Sequence, residues 1–72
     1  MISEVRELLL ARPFVPFVVH TSGGNHYRVP TSEHAAIDPR GSRVVVWFDE
    51  GGSITVSGLH IAAVEKDVAA KN

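Results

Sequence analysis

The chain contains no cysteine among its 72 residues, so neither a disulfide nor a thiolate zinc site can reinforce it. A domain this short hides only about 60% of the surface its unfolded chain exposes, and good packing or association must supply what cross-links do not. Aromatic residues are scarce, with one Trp, one Tyr and three Phe. Charge of either sign is in short supply too: seven Lys and Arg stand against eight Asp and Glu, for a net charge of −1. That balance counts against a strongly basic nucleic-acid binder, which neutralises phosphates with clustered cations. No apolar run approaches the roughly 20 residues of a membrane helix, and no charged-then-apolar leader of secretory type is present. The lack of cysteine suits a cytoplasmic chain.

What is present is the composition of a folded domain, 44% hydrophobic and 21% charged. Residues 1–66 read as one helix-plus-sheet domain, and 67–72 as a tail with little to bury. Ile2, Val5, Leu8 and Leu9 fall on one stripe at helical spacing, Ser3 is placed to cap the first turn, and Glu4 and Glu7 suit the positive end of the helix dipole. An amphipathic helix is therefore expected over about residues 3 to 11. Pro13 disfavours helical backbone at Arg12 and should stop it there. A helix this short needs a surface to lie on.

From Arg12 to His20 the chain changes character, and Phe14 and Phe17 are the candidate anchors between helix and sheet. Strand-like segments follow at 14–21 and 26–29, the latter broken by Pro30 and a capped turn at Thr31–His34 before Ala35-Ala36-Ile37 resumes an extended path. Further strands are expected at 42–49, 53–57 and 61–65. The glycines of Ser22-Gly23-Gly24-Asn25 and Glu50-Gly51-Gly52 mark hairpin turns, and Asp38-Pro39-Arg40-Gly41 has the residues of a type I turn. The expectation is a mainly β fold, with an N-terminal α-helix followed by a five-stranded antiparallel, strongly bent sheet or small barrel. Val44-Val45-Val46-Trp47-Phe48 is apolar on both faces of its strand. Something is expected to cover the second face, either the helix or a second copy of the chain, or one core and the helix share all five residues.

This order of a helix and hairpin-linked strands resembles Sm-like and Src-homology-3-like barrels over about residues 3 to 65. The segment from Ser53 to Glu65, in which a strand ends at Gly58 and a short corner leads into a final apolar strand, looks like the second Sm motif, with Ser57 where that motif carries Arg. The resemblance implies a barrel, a ring-forming homo-oligomer and, since the family binds RNA, nucleic acid as a partner. Arg12, Pro13, Phe14, Pro16, Phe17 and His20 are also similar to the Arg-Pro-Phe-x-Pro-Phe start shared by a group of short uncharacterised bacterial proteins, which implies no function.

Four histidines, His20, His26, His34 and His60, raise the question of a metal. With Gly23-Gly24 as a two-residue loop, His20 would face Tyr27 and His26 would face Thr21, which sends the two imidazoles to opposite faces. No metal ligands, cofactor or catalytic residues are assigned, because no nucleophile motif fixes the Ser, His and Asp residues and Gly51-Gly52 lacks the lysine and helix of a phosphate loop. Pro13 and Pro16 have the spacing of a polyproline ligand, but their Phe neighbours read as buried. Tyr27, Arg28, Arg40 and Arg43 are the candidate nucleic-acid-binding residues, with Trp47 as a further stacking surface. The expected function is a non-catalytic oligomerising or interaction module, with an RNA- or DNA-binding Sm-like ring as the alternative.

Overall fold

The computed structural model describes residues 1–66, and the expected tail at 67–72 lies outside them. In chain order the elements are α1 (Ile2–Leu10), β1 (Phe17–Thr21), β2 (His26–Val29), β3 (Ala35–Ile37), β4 (Arg43–Trp47), β5 (Ser53–Ser57), a 3-10 turn η1 (Gly58–His60) and β6 (Ile61–Lys66). The strands pair antiparallel throughout in two three-stranded sheets, ordered β2-β1-β6 and β3-β4-β5. The mainly β fold with its N-terminal helix is as expected, but among the described residues six strands in two sheets, without a closed barrel, stand where five in one bent sheet or small barrel were expected. The break falls at Pro30, which has no N–H for a ladder. Beyond it Thr31 closes a turn, its carbonyl accepting from the His34 N–H at 3.1 Å and its Oγ1 from the Glu33 N–H at 3.2 Å. The chain therefore enters the second sheet as a separate strand. Among the described residues no helix is long and apolar enough to cross a membrane.

Strand alternation builds one core. Phe17 and Val19 of β1, Val29 of β2, Val44 and Val46 of β4 and Val5 of α1 are fully buried, and Ala35, Val56 and Ile61 add a residue each from β3, β5 and β6. The apolar run of β4 is thus one-sided. Val44 and Val46 point inward, Val45 is half-buried, and Trp47 keeps 44% of its surface exposed. The helix packs chiefly against β3 and β6, and its Val5 joins Val44 and Val46 in the core.

The helical stripe is as expected, with Val5 buried and Ile2, Leu8 and Leu9 packed against the core. The cap is not. Met1 is the N-cap residue and supplies only its carbonyl, to the N–H groups of Glu4 and Val5 at 3.1 and 3.2 Å, while Ser3 lies inside the first turn. Ile2, the first helical residue, is partly buried against the core, so its packing favours a helix that starts ahead of Ser3. At the other end Arg12 donates to the carbonyls of Leu9 and Ala11 at 3.2 and 2.7 Å, satisfying acceptors that the helix leaves open. Phe14 then lies against the buried Phe17, with ring centres 5.9 Å apart, and pairing begins only after Pro16, at Phe17.

The first hairpin corrects the expected register. The Thr21 N–H donates to the Asn25 carbonyl at 2.8 Å and the Gly24 N–H to the Thr21 carbonyl at 3.0 Å, which makes Ser22-Gly23-Gly24 a three-residue loop. Gly24 closes it at φ +90°, a left-handed value that glycine reaches without penalty. The added loop residue moves the pairing by one, so His20 faces His26 and Val19 faces Tyr27. The two histidines, expected on opposite faces, share one. The second hairpin repeats the pattern around Asp49-Glu50-Gly51, with Phe48 donating to Gly52 and Gly51 donating to Phe48, each at 3.0 Å.

Candidate functional site

The sequence-predicted residues divide between two depressions. Tyr27 and Arg28 of β2 line a cleft of about 300 Å³ with His26, Pro30, His34, Trp47, Phe48, Asp49 and Glu50. Because β2 and β4 belong to different sheets, the cleft lies where the two sheets meet. Arg43 lines a separate depression with Ser42, Thr55 and Ser57, and Arg40 is exposed on the turn that follows β3. The structure therefore brings Tyr27, Arg28 and Trp47 together and keeps Arg40 and Arg43 out of their cleft.

Each wall has a local cause. Tyr27 is half-buried and Arg28 exposed, because successive strand residues point to opposite faces. Phe48 follows Val44 and Val46 on the inward side of its strand, and its ring centre lies 6.2 Å from that of Tyr27 with the planes tilted by 35°. The other wall is fixed by His34. Its Nε2 contacts Asp49 Oδ1 at 2.6 Å and its Nδ1 contacts Thr31 Oγ1 at 2.8 Å. A carboxylate can only accept, so Nε2 carries a proton; in the neutral imidazole Nδ1 then accepts from the Thr31 hydroxyl, whose oxygen in turn accepts from the Glu33 N–H. Hydroxyl, imidazole and carboxylate follow one another as in a nucleophile relay. Here Asp49 is 82% exposed and the Thr31 oxygen is engaged in its own turn, so the chain of bonds ties the Pro30–His34 segment to the β4–β5 hairpin.

The cleft presents rings from Tyr27, Trp47 and Phe48 with one cation, Arg28, and two carboxylates, Asp49 and Glu50, beside them. Such a surface can stack flat or apolar groups and carries one more carboxylate than cation. The sequence pointed to Tyr27, Arg28 and Trp47 but not to Phe48, Pro30 or the His34–Asp49 pair. Contacts between strands of different sheets leave no local pattern to read.

Arg43 is drawn the other way. Its Nε lies 3.8 Å from Asp38 Oδ2, while Asp38 Oδ1 accepts from the backbone N–H groups of Ser42 and Arg43 at 2.7 and 3.0 Å. The backbone hydrogen bond from Arg43 is the main cause holding the Asp38 carboxyl below its ordinary value, helped by Ser42 and by the Arg43 charge.

Among the remaining histidines, His20 Nε2 meets Glu65 Oε1 at 3.0 Å and His60 Nδ1 lies 3.5 Å from Ser22 Oγ. No group of three His, Cys, Asp or Glu side chains converges among the described residues. A scan against protein-family models and searches of curated proteins and of solved structures give no match to this chain.

Proposed function

We propose that the chain is a non-catalytic interaction module that associates with copies of itself, built on an Sm-like or Src-homology-3-like frame. The pairing of the first strand with the last supports that frame, since it is the contact that closes such barrels. A cytoplasmic setting suits its lack of cysteine.

The observation that carries self-association is the unequal treatment of the sheet edges. β2 and β3 are edges with evident protection: β2 carries Arg28 outward, and β3 is only three residues long and is preceded by the Pro30 break. β5 and β6 are edges among the described residues as well; β5 has no charge or proline, and the Ile61–Val64 part of β6 has none, its charges Glu65 and Lys66 lying at one end. Unblunted edges invite pairing with another chain. Between them, on η1, Leu59 is 92% exposed, and it lines a depression with Met1, itself 47% exposed. Two different edges meeting head to tail generate a ring or a helical array, in which Leu59 is covered. Light scattering on Leu59→Arg tests this: the variant should shift to a smaller species than the wild type, and identical masses would remove the claim.

A second reading, single-stranded nucleic acid in the Tyr27, Arg28 and Trp47 cleft, rests on the convergence of two rings and a cation. Titration of a labelled oligonucleotide at low salt would show binding that Trp47→Ala weakens. Binding that depends on Arg40 and Arg43 but not on Trp47 would move the site elsewhere.

A further inference from the structure

We propose that His20 and His26 form a binding site for a divalent transition ion that favours imidazole, such as Zn²⁺, on the outer face of the β2-β1-β6 sheet. The inference does not depend on self-association or on the aromatic cleft. It rests on the hairpin register. The hydrogen-bonded Thr21–Asn25 pair at the loop makes the next pair, His20–His26, a non-hydrogen-bonded one, the kind whose side chains stand closest across antiparallel strands. The imidazole centres are 5.9 Å apart. Two imidazoles on one tetrahedral ion, with metal–nitrogen bonds of about 2.0–2.1 Å, have ring centres about 5.2 Å apart, so the centres must approach by less than an ångström and the rings, tilted by 38° to one another, must turn to aim one nitrogen each at the ion.

Glu65 prepares the first ligand. Its carboxylate accepts from His20 Nε2 at 3.0 Å, which assigns the proton to Nε2 and leaves the lone pair of Nδ1 for a metal. A carboxylate on the far nitrogen of a metal-bound imidazole fixes the tautomer and raises its basicity. Glu65 thus acts from behind His20 rather than as a third ligand, in accord with the lack of three converging groups among the described residues. On β6 the residue opposite His20 is Ala63, which leaves the ring room to turn, and the next row of the same face carries Arg28, Val18 and Glu65. His26 is exposed and His20 half-buried, so both rings are reached from solvent.

The test is a titration of the purified chain with Zn²⁺, followed by the imidazole resonances in NMR and by thermal unfolding. The His20 and His26 signals should move or broaden while those of His34 and His60 stay, and the unfolding midpoint should rise with added Zn²⁺. His26→Ala and His20→Ala should each weaken binding at least tenfold, with the fold checked by circular dichroism. Glu65→Ala should weaken it by about tenfold, the scale of lost outer hydrogen bonds. His60→Ala should bind as the wild type does. Equal affinity in His26→Ala and the wild type, an even response of all four histidines, or no response up to millimolar Zn²⁺ would each overturn the proposal.

Discussion

Phe17 is the largest of the fully buried side chains and the point where the segment leaving the helix becomes sheet. Truncating a buried aromatic removes its burial and leaves a cavity, so Phe17→Ala is expected to cost about 3 kcal/mol in chemical denaturation. A loss under about 1 kcal/mol would place Phe17 outside the cooperative core. Asp38 acts through its ionised form instead. Its folded carboxyl is held below the ordinary value of 3.8, so the stability it contributes is complete above that value and is lost as pH falls through the lowered one. Asp38→Ala should reduce stability at neutral pH and flatten the decline below about pH 4, as read from denaturant midpoints across that range. An unchanged acid profile would mean that the turn does not depend on this carboxylate. Phe17 was legible as an anchor from its apolar neighbours. Asp38 was legible only as a turn former, because its bonds to Ser42 and Arg43 require the loop to be closed.

At the scale of elements, α1 is held by a close approach as much as by its apolar stripe. A Cβ placed on Gly58 would lie 2.7 Å from Ile2 Cγ1 and 3.1 Å from the Ser42 carbonyl oxygen, which accepts the Gly58 N–H at 2.8 Å. One methyl group there must push the helix or break the bond from η1 to the turn before β4. Gly58→Ala should therefore cost about 1–3 kcal/mol, the range for overpacking, and shortening Ile2 to Ala in the same chain should return part of it. Strict additivity of the two substitutions would show that they do not meet. The helix and most strand positions followed from the 3.6 and two-residue periods of the apolar residues. Three features did not follow. The cap position fell to Met1 rather than Ser3, Pro30 divided one expected strand between two sheets, and a single extra loop residue turned His20 from Tyr27 to His26. Each turned on a choice that local propensity leaves nearly balanced and tertiary packing decides.

For the whole molecule, eight small or medium aliphatic residues and the ring of Phe17 make up the buried core among the described residues, which is modest even for a chain of 7.8 kDa. Leu59, Met1, Trp47 and Phe48 meanwhile keep much of their surface in solvent. The apolar second face of the β4 run suggested a partner from sequence alone, and it is formed by the half-buried Val45 and the exposed Trp47. The stronger indication lies at β5, η1 and β6, where backbone edges and Leu59 combine. Two expected binding residues, Tyr27 and Arg28, reached one cleft with Trp47, while Arg43 turned to Asp38. The division follows from strand alternation and from a turn whose closure the sequence did not fix in space. Sedimentation equilibrium of the wild-type chain over a wide concentration range tests self-association most directly. A mass that is a multiple of the 7.8 kDa chain and rises toward a fixed limit with concentration is expected. A monomer at every concentration would contradict it.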